Sequence, residues 1–157
     1  MESNRLTSEL LQTRGFDLEG LTVRGYGAGV GDFQMVEGWW KFHCTKPFSE
    51  TVLPPLGVVV EDAQGPCAAL WCYESFGIGV GSLENPVTRP GGTVRQSSNW
   101  MAMAVMACMT LSGKGCEPAG EYTLFRAMTP HAGIARILKK MGFADNGATI
   151  NFLYLNE

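Results

Sequence analysis

Three strand-like segments follow one another between residues 56 and 85, and no helical pattern separates them. Leu56–Glu61 (LGVVVE) is β-branched and apolar, and the turn residues 62–65 (DAQG) lead from it into Cys67–Glu74 (CAALWCYE) as a hairpin partner. Ile78–Asn85 (IGVGSLEN) alternates as a third strand, and its glycines mark a bulge or the close approach of another backbone or ligand. The chain therefore does not continue as alternating parallel βαβ units.

Helical and further strand patterns flank this region. Leu21–Tyr26 is a short strand, and Thr7–Gln12 before it is a short helix. Asp32 caps a helix from Phe33 to about Cys44. A long helix, apolar nearly all round and therefore buried, runs from Asn99 to Ser112, capped by Ser97 or Ser98.

The C-terminal part is predicted as strand, helix, strand. Tyr122–Met128 is the first strand, and Thr129-Pro130 is a helix start, because threonine caps and proline fits the first turn. The helix has an apolar stripe at the i, i+3, i+4, i+7 spacing and closes at Gly142; the stripe consists of Ile134, Ile137, Leu138 and Met141. The last strand is Thr149–Leu155, after a tight turn.

Composition limits the class of protein. A net charge of −3 argues against general nucleic-acid binding, which needs a basic surface. No stretch is apolar and long enough to span a bilayer, and the N-terminus lacks the pattern of a secretory signal. Five cysteines without C-x-x-C spacing and two histidines favour reduced, mostly buried thiols and no metal site. The prediction is a cytoplasmic protein whose 157 residues form one domain.

A glycine run, GYGAGVGD at residues 25–32, stands between a strand and a helix, which is the context of the dinucleotide fingerprint G-x-G-x-x-G. In the frame from Gly25 the last glycine is replaced by Val30, and in the frame from Gly27 it is replaced by Asp32. Gly113-Lys114 likewise lacks the flanking residues of a phosphate loop. A nucleotide-binding fold is therefore disfavoured.

From Leu21 to Leu155 the order of elements resembles the GNAT superfamily of N-acetyltransferases. The segment HAGIARILKKMGF carries the resemblance, since Gly142-Phe143 match the family's ending. His131 stands where the family usually has a cofactor-contacting Asn, and Leu138 stands where it usually has the Tyr that protonates the departing thiolate. The resemblance implies an α/β (α+β) fold, with a central mixed, mostly antiparallel twisted sheet flanked by helices. Such degenerate motifs look similar to the GNAT-like proteins of tailed bacteriophages, which would place the protein in a host cytoplasm.

The resemblance also implies a pyrophosphate loop between the third middle strand and the long helix. The family pattern Q/R-x-x-G-x-G/A is approached by residues 89–94 (RPGGTV) and by residues 95–100 (RQSSNW), neither cleanly. A helix N-terminus suits a pyrophosphate, because its backbone N–H groups are unpaired and its dipole is positive there. The expected coenzyme A contacts are the backbone of Ser82, Leu83 and Glu84, together with Arg89, Gly91, Gly92, Arg95, Ser97, Ser98 and His131.

The same resemblance suggests the reacting groups. Glu84 and Glu74 are candidate bases, directly or through a water, because a carboxylate near an apolar floor has a raised pKa. Tyr122 and Tyr154 are the remaining phenols of the C-terminal half, and Tyr154 is the candidate proton donor to the thiolate, for which solvent is the alternative. Trp39, Trp40 and Tyr73 are expected on the acceptor side, with core packing as the other interpretation of the two tryptophans.

The predicted function is transfer of an acetyl or other acyl group from acyl-CoA to a primary amine by direct attack, with no metal. The alternative is a catalytically degenerate GNAT-fold protein that binds a protein partner, with or without coenzyme A. The acceptor is not specified by the sequence: a protein lysine, a small amine, an aminoacyl group and an aminated nucleobase all fit, and a homodimer is left open.

Overall fold

The computed structural model of this protein describes residues 6–75, 79–112, 124–129 and 131–145. In chain order they form α1 (Ser8–Thr13), β1 (Thr22–Gly25), α2 (Asp32–Phe42), a 3-10 helix (Glu50–Val52), β2 (Leu56–Asp62), β3 (Gly65–Glu74), β4 (Val80–Thr88), α3 (Val94–Leu111), β5 (Leu124–Ala127) and α4 (Ala132–Met141). No helix in these ranges is long and apolar enough to cross a membrane. Some predicted features lie outside the described residues, namely Ile78, Tyr122 and the last strand Thr149–Leu155 with its candidate phenol Tyr154.

The described strands form one sheet in the order β1-β2-β3-β4-β5. The pairs β1/β2, β2/β3 and β3/β4 are antiparallel, whereas β4 and β5 are parallel. Parallel strands need a crossover connection, and α3 lies in the segment that joins β4 to β5. The predicted fold class, a mixed and mostly antiparallel sheet flanked by helices, is confirmed.

Helices cover both faces of the sheet. On the face that we call the α3 face, α1, α3 and α4 pack against strand residues that include Leu70, Cys72 and Leu83. On the opposite face, the α2 face, helix α2 packs against Ala69 and Trp71, among other residues. Successive residues of β3 thus enter different cores, which is the alternation that a strand buried on both faces requires.

A β-bulge bends β4 near Asn85. Residues 69–71 of β3 lie opposite residues 84–87 of β4, so β4 has one residue more than its partner over this stretch. Asn85 has a φ of 57°, a left-handed conformation that asparagine adopts more readily than most residues. The strand predicted to end at Asn85 therefore continues through the bulge to Thr88.

The pairing of β4 with β5 ends just before the bulge. Their parallel pairing runs from Val80–Leu124 to Leu83–Ala127, while β4 continues beyond it. Gly81 was expected to admit a ligand, but a Cβ there would lie 2.9 Å from the Phe125 ring. The space beside this glycine is thus filled by a side chain of β5.

Helix α3 begins at Val94, whereas the sequence predicted Asn99 with Ser97 or Ser98 as its cap. Thr93 is the N-cap: its side chain accepts from the amide of Gln96, and the Gln96 side chain accepts from the amide of Thr93. This reciprocal capping box stabilises two amides at once, which a single serine cap does not do. Ser97 and Ser98 consequently lie inside the helix.

Helix α4 begins two residues later than predicted, at Ala132. His131 is its N-cap residue, and Thr129, the expected cap, instead accepts a hydrogen bond from the His131 amide at 3.1 Å. The helix ends as predicted at Gly142, which has a left-handed φ of 100°. Leu138 and Met141, from the predicted apolar stripe, are buried.

The glycine run folds around a carboxylate of its own chain. Asp32, the first residue of α2, is 5% exposed and accepts hydrogen bonds from the amides of Gly27 and Gly29 at 2.9 and 3.2 Å. Arg24 on β1 donates to both carboxylate oxygens of Asp32 at 2.7 Å. These amides therefore bind an internal anion, which agrees with the failure of the run to match a dinucleotide fingerprint.

Candidate functional site

A cleft of about 600 Å³ lies between the N-terminal ends of α3 and α4. We call it the basic cleft, because its lining includes four basic side chains and no acidic side chain among the described residues. The bases are His43, His131, Arg136 and Lys140. In a chain with a net charge of −3, this local excess of positive charge makes the cleft suited to an anion.

The start of α3 adds backbone donors to this cleft. The capping box uses the amides of Thr93 and Gln96, so the amides of Val94 and Arg95 are the two in the first turn that it leaves for a ligand. Val94 itself lines the cleft. Unpaired amides at the positive end of an 18-residue helix dipole are a favourable site for a phosphate group.

The loop before α3 is held rigidly by Arg89 and Trp100. The Arg89 guanidinium lies 5.0 Å from the centre of the Trp100 ring and pairs with Asp62 through both terminal nitrogens, at 3.1 and 2.8 Å. Arg89 also donates to the Pro66 carbonyl at 3.1 Å. Gly92 also packs closely on the Trp100 ring: a Cβ there would lie 2.6 Å from it. Arg89 was predicted to bind the cofactor directly, but its described contacts are internal and favour a role in positioning the loop.

The other predicted cofactor residues are placed unequally. Ser97 and Ser98 line the basic cleft, and the Ser98 hydroxyl donates to the Val94 carbonyl at 2.7 Å. Arg95 is exposed in the first turn of α3. Gly91 is exposed with a φ of 86°, which a residue with a side chain adopts at a cost in free energy.

A small apolar pocket adjoins the basic cleft where β4 and β5 diverge. Met101 and Ile134 line both, and the remaining walls come from β3, β4, α3, β5, α4 and the segment after β5; they are Leu70, Leu83, Pro86, Val105, Ala127, Met128, Thr129 and Leu138. Leu138, which stands where the GNAT resemblance implies a tyrosine, is thus a wall of this pocket and is 7% exposed. No phenol lines the pocket among the described residues.

The predicted backbone contacts of β4 need a correction. Ser82 and Leu83 are paired with β3 on one side and with β5 on the other, so they lie within the continuous sheet. The β4 segment past the last β5 pair runs from Glu84 to Thr88. Donors and acceptors for a ligand at the gap therefore come from this later segment, where Pro86 contributes no N–H.

The two candidate bases lie on opposite faces of the sheet. Glu84 is opposite Trp71 in the register and shares the α2 face with it, whereas Glu74 is opposite Gly81, an odd number of residues away from Glu84. Glu84 is partly buried and accepts a hydrogen bond from the Ser82 hydroxyl at 2.8 Å, while Glu74 is exposed. The two carboxylates therefore cannot serve as one pair.

On the α2 face, the predicted acceptor wall is corrected. Trp39 and Trp40 are 9% and 1% exposed and belong to the core beneath α2, because they pack on Trp71 and its neighbours. Tyr73 remains accessible, with 40% of its surface exposed, and its hydroxyl donates to the Val52 carbonyl at 2.5 Å. Of the three aromatic residues predicted, Tyr73 is the one available to an acceptor.

The four cysteines within the described residues do not provide a nucleophile at either pocket. Cys67, Cys72 and Cys108 are buried, and burial raises the pKa of the Cys67 thiol to about 12 and also raises the pKa values of the other two. Cys44 is exposed but does not line the basic cleft. The described residues contain no cluster of three side chains able to hold a metal ion.

Sequence reasoning missed three of the four basic residues that line the cleft: His43, Arg136 and Lys140. Arg136 and Lys140 are spaced four apart on α4, so they lie on one face of the helix, and this spacing was readable. His43 comes from the C-terminal end of α2 and reaches β4, where its Nε2 lies 2.9 Å from the Thr88 carbonyl oxygen. That contact depends on the tertiary fold, and no local pattern signals it.

No protein-family model matches this sequence, and no curated protein sequence matches it. Solved structures do match its fold. A protein of unknown function from meticillin-resistant Staphylococcus aureus, described as a probable acetyltransferase, superimposes with a TM-score of 0.58 at 12% identity, over 87% of this chain and 99% of its own. A GNAT family acetyltransferase from Streptococcus pneumoniae gives 0.55 at 11% identity, over 87% and 98%. A transcriptional regulator from Bacillus halodurans gives 0.52 at 15%, over 85% and 99%. At these identities the likeness establishes the fold alone.

Proposed function

We propose that this protein is an acyl-CoA-dependent N-acyltransferase that transfers acetyl, or another acyl group, to a primary amine. The observation that carries the proposal is the basic cleft, with its two helix N-termini and no acidic lining among the described residues, opening beside the gap between β4 and β5. The basic cleft leads to the adjoining apolar pocket. An elongated ligand with phosphates at one end and an apolar thioester arm at the other matches this arrangement. The acetyltransferases named above share the fold and support the assignment.

Different residues bind different parts of coenzyme A in this proposal. The amides of Val94 and Arg95 receive the pyrophosphate, with the Arg95 and Arg136 guanidinium groups as charged partners. Arg89 acts indirectly, since it fixes the loop against Trp100. The pantetheine arm runs from the basic cleft toward the apolar pocket, whose volume of about 20 Å³ admits a group of about the size of one water.

Glu84 is the base that we assign to the reaction. It stands at the first position of β4 beyond the pairing with β5, on the α2 face, and so at the gap where an amine meets the thioester. The amine nitrogen forms a bond to the thioester carbonyl carbon, the carbon–sulfur bond breaks, and the thiolate leaves. Glu84 accepts the proton lost by the nitrogen, directly or through a water. Solvent returns a proton to the thiolate, because Leu138 carries no acid.

The test is a calorimetric titration with desulfo-CoA and acetyl-CoA. Ser98→Glu places a carboxylate on the wall of the basic cleft and is expected to weaken binding at least tenfold, since it opposes a phosphate at close range. Thr110→Glu is the matched control: its hydroxyl bonds the carbonyl four residues earlier, as Ser98 does, but at the other end of α3. Wild-type binding that survives Ser98→Glu, or no binding at millimolar ligand, contradicts the proposal.

A second candidate is a GNAT-fold protein without catalytic activity that binds a protein partner. The observation that favours it is Leu138, a buried apolar wall where related folds would place a phenol. It predicts a stable complex with no release of free thiol when acetyl-CoA and an amine panel are supplied. Turnover with any primary amine rules this candidate out.

A further inference from the structure

We propose that His43 and His131 are both protonation-dependent ligands of the bound anion, so that the affinity of this protein for coenzyme A rises as pH falls. They are the two histidines of the chain, and both line the basic cleft. They arrive there from different elements, His43 from the end of α2 and His131 from the start of α4. The inference rests on the function proposed above and deepens it.

The contact of His43 leaves one ring nitrogen for a ligand. Its Nε2 lies 2.9 Å from the Thr88 carbonyl oxygen, and because a carbonyl only accepts, this nitrogen carries a hydrogen. The neutral ring then has its lone pair at Nδ1. Protonation at Nδ1 makes the exposed imidazole a double donor and a cation without breaking the bond that fixes it to β4.

His131 differs from His43 in its electrostatic environment, because it lies at the start of a helix. It is the N-cap residue of α4, and its side chain makes no capping hydrogen bond. A cation at this position is opposed by the positive end of the helix dipole. A phosphate in the cleft offsets that repulsion, so the bound anion and the proton on His131 each favour the other.

The other charged side chains that line the cleft are positive, as the protonated histidines would be. Arg136 and Lys140 of α4 line the same cleft, and the Lys140 ammonium also donates to the Gly15 carbonyl at 3.1 Å. On α2, Lys41 is paired with Glu37 at 3.2 Å. No carboxylate lines the cleft within the described ranges, so the partner that stabilises the imidazolium forms is the ligand itself.

The experiment is calorimetric titration with desulfo-CoA from pH 5.5 to 8.5, using wild type, His43→Gln, His131→Gln and the double variant. Glutamine retains a donor for the Thr88 carbonyl but carries no charge at any pH. A charge-assisted bond is roughly twice as strong as a neutral one, so each histidine should contribute roughly a fivefold gain in affinity on acidification. Lys41→Gln is the control, because it removes a cation outside the cleft and leaves the pH dependence unchanged.

Three outcomes separate the proposals. The proposal is supported if the binding affinity depends less on pH in each single variant than in wild type. In the double variant, the remaining pH dependence should be that of the ligand phosphates alone. Binding with the same pH dependence in wild type and double variant overturns the histidine pair and leaves the acyl-CoA assignment intact. Binding that is absent at every pH overturns the acyl-CoA assignment and the histidine pair with it.

Discussion

The Asp32 carboxylate and the Arg24 guanidinium form a two-point ion pair, with both oxygen–nitrogen distances at 2.7 Å. The pair joins the first residue of α2 to β1, and Arg24 also binds Glu61 on β2 at 2.7 Å. Asp32 is 5% exposed, so its charge depends on these partners for stabilisation.

Asp32→Asn should lower the free energy of unfolding by about 3 kcal/mol, because it leaves Arg24 without its main partner. The value is at the lower end for buried pairs, since Arg24 is 25% exposed. Urea denaturation monitored by tryptophan fluorescence measures the loss. Glu37→Gln, which breaks an exposed pair within α2, is the control and should cost less than about 0.5 kcal/mol. Equal losses in the two variants would argue against the ion pair as the anchor of α2.

Acid should destabilise the protein through Asp32 and Asp62. Arg24 and Arg89, respectively, hold the pKa values of these carboxyls below their ordinary value of 3.8. A carboxyl with a lowered pKa in the folded state contributes stability above its unfolded pKa and loses it as pH falls through the folded pKa. The free energy of unfolding should therefore decrease below about pH 4, and less steeply in Asp32→Asn. A stability series from pH 7 to pH 2.5 tests this, and a curve of the same slope for the variant counts against it.

Gly92→Ala should destabilise the protein by about 1–3 kcal/mol, because the new methyl group would meet the buried Trp100 ring. Gly38→Ala is the matched control in α2, where a Cβ has nothing within 4 Å and alanine favours the helix by up to about 1 kcal/mol. Thermal unfolding of both variants should shift the midpoint in opposite directions. A neutral Gly92→Ala would show that the loop before α3 is free to move.

Substitutions of two arginines near the start of α3 should have different effects, one on ligand binding and the other on stability. Arg95→Gln should weaken desulfo-CoA binding about tenfold, the value of one charge-assisted contact, and leave the unfolding midpoint unchanged. Arg89→Lys should lower the midpoint, because lysine keeps the charge but loses the two-point contact with Asp62 and the flat face on Trp100. Calorimetry and thermal denaturation on both variants give the comparison, and the reverse pattern would exchange the roles assigned to them.

Once an amine acceptor is found, Glu84→Gln should lower kcat about 100-fold with little change in KM for acetyl-CoA, as expected for loss of a general base. Glu74→Gln should leave kcat within about twofold, because Glu74 lies on the other face of the sheet. If Glu74→Gln lowers kcat instead, the assignment of the acceptor to the α2 face is wrong.

Local signals in the sequence were enough for the elements and the fold class. The β2–β3 hairpin was predicted from β-branched runs around a turn at residues 62–65, and the end of α4 from its apolar stripe and Gly142. These features depend on residues within one turn or one strand, where propensity and periodicity act. The start of α3 was also local, but the capping box of Thr93 and Gln96 was overlooked in favour of two serines.

The site depended on distant contacts and was predicted less well. Glu74 and Glu84 are assigned to different faces by the register of β3 on β4, and the bulge lies at residues 84–87 rather than at the glycines that were expected to mark one. Arg89 looked free for a ligand until the fold placed it against Asp62 and Trp100. His43 reaches the cleft only because α2 crosses the sheet toward Thr88.

The bulge at Asn85 has a second consequence, for association between molecules. Beyond the end of β5, the rim of β4 from Glu84 to Thr88 would offer open hydrogen-bonding groups to a strand of another chain, which is how sheets aggregate. Pro86 removes one donor from that rim, and the bend at Asn85 spoils its alignment with a straight partner. The irregularity in β4 thus makes its rim a poor template for fibre growth.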